Sequence, residues 1–113
     1  MFSKEHRLRK ENEVKSVVKT GKSVFDPVCG IKFKKNDLDV SRFTVVAGLK
    51  VSKSAVKRTR VKRQYREIVR LRVERIKPGY DVVMLVSSKA IDLEYADKEE
   101  RLMKVFKKAG LLV

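Results

Sequence analysis

The sequence predicts an α+β fold, a single-domain α-β-β-α-β-α sandwich with a small sheet. Three observations carry that expectation. The apolar residues switch between helical and alternating spacing along the chain. Turn and stop residues (Gly21, Pro27, Pro78-Gly79, Gly110) fall where the spacing switches. The length, 113 residues, suits one domain with one modest core.

The first nine residues read as a basic lead-in, mobile or extended. Residues 11–20 read as a short helix: Glu11 or Asn12 starts it, Val14, Val17 and Val18 form its stripe, and Gly21 stops it. Residues 22–34 then alternate, with Cys29, Ile31 and Phe33 on one side, as in a half-buried strand. Pro27 places a bend or an edge position near its start. KNDLD is a turn. RFTVVAGLKV at 42–51 is β-branched and aromatic, and reads as a second strand pairing antiparallel with the first. Ser52 or Ser54 caps a long helix reaching about Ile76, and Pro78-Gly79 stops it. Tyr80–Ser87 is a near-continuous apolar run, the pattern of a buried strand. Asp92 or Asp97 opens a final helix with a stripe of Leu102, Met103, Val105, Phe106 and Ala109, ended by Gly110. The helices are expected on one face of the sheet.

Composition narrows the partner. Hydrophobic residues make up 42%, enough to fold. Against 14 Asp+Glu stand 29 Lys+Arg, a formal charge of +15. Self-repulsion of that size favours a polyanionic partner: nucleic acid first, an anionic membrane surface a distant second. The charge is uneven, with nine basic and two acidic residues between Lys57 and Arg75 and a balanced stretch from Ile91 to Val113. A lone cysteine, Cys29, forms no internal disulfide and reads as a small core residue, which suits a reducing compartment. No apolar run reaches the roughly 18 residues of a membrane span, and MFSKEHRLRK lacks a signal-peptide core. The expectation is a soluble cytoplasmic protein.

The long helix carries the functional signal. Six cations and no acid lie between Lys57 and Arg66. At 100° per residue, Thr59, Lys62, Arg63, Arg66 and Arg70 share about 100° of arc, while Val61, Tyr65, Ile68 and Val69 lie opposite. That row is about 16 Å long, enough to follow two or three phosphates. A solvated face usually mixes charge signs; this one does not, and cations at i, i+3 and i+4 repel one another.

These residues also carry a resemblance. AGLKVSK at 47–53 followed by AVKRTRVKRQYRE at 55–67 resembles the signature of the bacterial ribonuclease P protein subunit. That family has a glycine-containing strand, then Ser-Lys, then a helix opening Arg-Asn-Arg and continuing Ile-Lys-Arg-x-x-Arg. The matching residues are Arg58-Thr59-Arg60, Val61-Lys62-Arg63 and Arg66. RLRKENEVKSVVKTGKSV, YDVVMLVSSKA and YADKEERLMKVFKKAGLL resemble the family's N-terminal segment, third strand and last helix. Three departures stand out. Thr59 replaces the family's Asn, the loop before the helix is shorter, and Val14, Val18 and Lys32 stand where the family often has aromatic rings.

The resemblance implies a ribosomal protein S5 domain 2-like fold and the protein component of an endoribonuclease that is not catalytic alone. In that family the RNA subunit removes the 5′ leader of precursor tRNA by Mg²⁺-dependent hydrolysis. The metal is held mainly by RNA and none is bound by the protein alone. The implied partners are the catalytic RNA and the precursor-tRNA leader. By this analogy Arg58, Thr59, Arg60, Lys62, Arg63 and Arg66 contact RNA, with Lys53, Lys57 and Arg70 extending the set. Val14, Val18 and Lys32 line the leader groove.

The residues themselves offer no catalytic chemistry. His6 is the only histidine and reads as an ordinary surface residue. No metal cluster, Gly-rich phosphate loop or nucleophile motif is visible. The aromatic residues read as core, with Phe25 beside Pro27 held open as a stacking surface. A structural RNA binder such as a small ribosomal protein shares the charge but needs no leader groove. A membrane-targeting helix would need exposed Leu or Trp that the cationic face lacks.

Overall fold

The computed structural model describes residues 4–48 and 50–113. Seven main elements follow in order: α1 (Glu11–Thr20), β1 (Lys22–Phe25), β2 (Cys29–Lys35), β3 (Arg42–Val46), α2 (Ala55–Arg72), β4 (Tyr80–Val86) and α3 (Tyr95–Lys108). The strands form one sheet in the order β1-β2-β4-β3. The α+β class holds, and the connectivity differs from expectation in three ways.

First, residues 22–34 are a hairpin, not one strand, so the order is α-β-β-β-α-β-α. The Asp26 carboxylate accepts the Val28 N–H at 2.8 Å, and the Asp26 N–H donates to Cys29 O at 2.9 Å. Pro27 sits inside that turn, where no ladder needs its missing donor.

Second, β3 stops at Val46 and pairs parallel with β4, not antiparallel with β2. Both edges of β2 are taken by β1 and β4. The free edge of β4 remains, and α2 is the crossover that a parallel pair requires.

Third, the helices cover both faces. On one face α2 (Val61, Tyr65, Ile68, Val69) and α3 (Leu102, Val105, Phe106) pack on Ile31, Phe33, Phe43, Val45, Val82 and Met84. On the other, α1 supplies Val17 to a smaller cluster with Leu8 and Val83, flanked by Val14 and Leu85. Cover on both sides explains why β4 is apolar nearly throughout.

Helix ends follow local chemistry. Ser54 Oγ accepts the Lys57 N–H at 3.2 Å and opens α2, which passes into a 3-10 turn at Val73–Arg75. The helix α3 opens one step after Glu94, with Asp97 in its first turn, so neither Asp92 nor Asp97 is the cap. Gly110 takes φ +74 after α3, and Leu111 N–H closes on Phe106 O at 3.0 Å. Gly21 works differently: it is extended at φ −74, and a Cβ there would lie 2.5 Å from Val17 O and 2.8 Å from Phe33 O.

Residues 6–8 of the lead-in are docked rather than loose. Leu8 is buried and its N–H donates to Phe43 O at 3.0 Å, and Arg7 bridges to Phe43 alongside β3. The His6 Nδ1–H donates to Ser41 O at 2.8 Å, so His6 is half-buried against the body of the protein. The expectation for residues 1–3 lies outside the described residues. No helix among the described residues is long and apolar enough to cross a membrane.

Candidate nucleic-acid interface

The helix α2 docks through Val61, Tyr65, Ile68 and Val69 and turns its cations away from the core. Thr59, Arg60, Arg63 and Arg70 are exposed, as are Lys53 and Lys57 before and at the helix start; Lys62 and Arg66 are half-buried. Among the described residues no carboxylate forms a salt bridge with Lys53, Lys57, Arg60, Lys62, Arg63 or Arg66. The ridge is relieved only at its far end, where Glu67 lies 2.8 Å from Arg70. Glu67 is held below the usual carboxylate range mainly by that hydrogen bond.

One expected contact residue is also tied into the fold. The Arg58 guanidinium turns back and donates to Ser52 O at 2.6 Å, so it fastens the loop that feeds the helix. The sequence pattern gave no warning, because Ser52 O is a backbone atom. Val56, 78% exposed, was missed. It stands with Ala55, Thr59, Arg60, Arg63 and Gln64 around a shallow concavity. Lys98 was missed too. It is buried on α3, and its ammonium donates to Gln64 Oε1 beneath the ridge. Burial, then the charge of Arg60, lowers its pKa.

The three expected groove residues divide. Val18 and Lys32 meet at the end of α1: the Lys32 ammonium donates to Val18 O at 3.1 Å, where the helix leaves a carbonyl unpaired. Val18 is 38% exposed beside it. Val14 is half-buried and packs against the Leu8–Val17–Val83 cluster, so it serves the fold first. A second lysine, Lys34, donates to Ser16 Oγ at 3.1 Å and adds a tie between β2 and α1.

Strand register defines what α1 leaves open. Ser23, Lys32, Val83 and Thr44 form one row across the sheet, and Phe25, Gly30, Leu85 and Val46 form the next. Both rows face the α1 side, since Val83 and Leu85 pack with α1 residues. In the outer row Phe25 is 56% and Val46 41% exposed. Val46 is where β3 hands the chain to the loop carrying Lys50 and Lys53, and thence to α2. The open apolar row therefore leads toward the basic helix.

What holds α1 at this angle is an ion network absent from the sequence reading. Arg42 on β3 grips Asp81 of β4 with two bonds, 2.8 and 2.7 Å, and reaches Glu13 of α1 at 2.9 Å. Asp81 is buried, so Arg42 is its necessary counter-charge.

Comparison with known proteins shows the family and the fold. Residues 2–110 match the family model described as Ribonuclease P. The ribonuclease P protein component of Fusobacterium nucleatum is 36% identical over 109 residues, covering 93% of this chain and 97% of that one. Its counterpart from Clostridium acetobutylicum is 35% identical over 112 residues, covering 97% and 93%. The solved RNase P protein of Thermotoga maritima has a TM-score of 0.83 at 29% identity, over 90% of this chain and 96% of that one. That of Staphylococcus aureus has a TM-score of 0.87 over 96% and 98%, a likeness of fold at 23% identity.

Proposed function

The chain belongs to the ribonuclease P family as the protein component of that ribonucleoprotein, and on that premise we propose that it holds two RNA segments on two surfaces. The catalytic RNA lies along the α2 ridge, where Arg60, Lys62, Arg63 and Arg66 meet its phosphates. The 5′ leader of precursor tRNA lies against the sheet face beside α1, with Val18 and Lys32 at its border. Arg guanidinium groups grip phosphate with paired bonds, and lysine adds point charge.

The observation that carries this reading is the one-signed stretch from Lys53 to Arg66, free of carboxylate partners among the described residues and next to the open row of the sheet. The protein's part is positioning. It orients the leader, lowers the repulsion between two polyanions and so favours productive assembly. Among the described residues no three His, Cys, Asp or Glu side chains gather where they would hold a metal ion. In this reading the Mg²⁺ that serves the hydrolysis is held by RNA, and no step of the protein's part runs through it.

The test is precursor-tRNA cleavage by a bacterial ribonuclease P RNA across a Mg²⁺ titration, with and without this protein. The expected result is a lower Mg²⁺ requirement with the protein present. An unchanged Mg²⁺ midpoint overturns the reading.

A further inference from the structure

Phe25 is the exposed aromatic ring, among the described residues, that the fold leaves unexplained. It is 56% exposed at the end of β1, opposite Gly30 of β2. Its ring lies on the bare backbone of that glycine: a Cβ at Gly30 would come within 2.1 Å of Cδ1, 2.6 Å of Cε1 and 3.0 Å of Cγ. The ring is thus seated against the sheet while more than half of the residue stays exposed to solvent. Among the described residues no other aromatic ring packs against it. Glycine at position 30 is what lets the ring lie down; any larger residue would lift it.

The surroundings suit a nucleotide. Lys32 is the diagonal cross-strand neighbour of Phe25, about 7–8 Å away between α-carbons. That spacing allows a base on the ring and its phosphate at the ammonium. The nearest acid, Asp26, is already engaged by the Val28 N–H and by Arg101 at 3.0 Å. Covering Gly30 would need only an aliphatic side chain. A flat ring that stays more than half exposed offers base stacking as well, which tolerates any base.

We infer that Phe25, seated on Gly30, is a stacking platform for one unpaired base of the bound RNA strand. It supplies from β1 the aromatic surface that Val14 and Val18 do not provide on α1. The inference rests on the reading that the leader crosses this face of the sheet.

The experiment uses the reconstituted holoenzyme and precursor tRNAs carrying a single abasic site at successive leader positions. With the native protein, one position should weaken binding by about 10-fold, within the range of ring–base stacking. With Phe25→Leu, the intact precursor should bind about 10-fold more weakly and that abasic site should cost nothing further. Affinity for mature tRNA should stay unchanged. The chain has no tryptophan, so Phe25→Trp gives a second readout. Its emission should be quenched by intact precursor and not by mature tRNA. Equal abasic penalties in the native and Phe25→Leu proteins overturn the inference. If Phe25→Leu fails to fold, unchanged emission from the Phe25→Trp holoenzyme on binding intact precursor overturns it instead. Equal affinity of the native holoenzyme for precursor and mature tRNA would overturn the leader reading itself, and the inference with it.

Discussion

At Gly21 the constraint is space, not conformation. Two backbone carbonyls, Val17 O and Phe33 O, leave no room for a methyl group, and backbone atoms do not swing aside as side chains do. Gly21→Ala should destabilise the fold by about 2 kcal/mol through overpacking, read as a lower urea midpoint at unchanged slope. Cys29 gives a pH prediction. Burial pushes its thiol from the ordinary 9.0 up to about 11. Between those values the unfolded chain ionises this group and the folded chain does not, so unfolding is favoured as pH rises. The stability of the native protein relative to Cys29→Val should therefore fall from pH 9 to pH 11 and hold level below pH 9. Urea titrations at stepped pH check this. Tyr65 lies beside that thiol, and its buried hydroxyl makes only a weak contact with the sulfur. Tyr65→Phe should leave stability equal or raise it by about 1 kcal/mol, seen in the same titrations.

At the scale of elements, α2 divides its labour by face. The buried stripe fixes the helix and the opposite face is free to carry charge, so changing the ridge should spare the fold. Arg63→Glu with Arg66→Glu should leave the melting temperature unchanged and weaken binding to the catalytic RNA. The slope of log affinity against log salt should fall by about 1–2, near one for each phosphate no longer held. Affinity measured at several salt concentrations tests this; an unaltered slope would show that the ridge does not meet phosphate. Helices were legible because their period and caps are local: Val14–Val17–Val18, Ser54 and Gly110 each speak for their own turn. The strands were less so. The alternation of Cys29, Ile31 and Phe33 marks a strand but not its partner, and Pro27 marks equally well a bend or a hairpin turn.

For the molecule as a whole, the Arg42 network joins α1, β3 and β4 across positions far apart in the chain. Arg42→Met should cost about 3 kcal/mol, because it leaves Asp81 a buried charge held only by the neutral Asn36 amide, 2.9 Å away; Glu13→Gln should cost less, since Glu13 is partly solvated. Thermal melts of the two variants compare them. Arg42→Met should also loosen α1, detectable as faster amide exchange through residues 11–20.

What the chain determined by itself was the class of fold, the helices, the cationic row with its apolar back, and through the signature at 47–67 the family. All of these depend on neighbours within a few turns, where spacing alone sets which side chains share a face. Only the tertiary structure decided that β3 lies parallel to β4, that α1 packs on the opposite face from α2 and α3, that Arg58 folds back on Ser52, and that Phe25 lies on Gly30. Each is a meeting of distant segments, settled by which sheet edge is free and which surface still needs cover, and no local pattern encodes that choice.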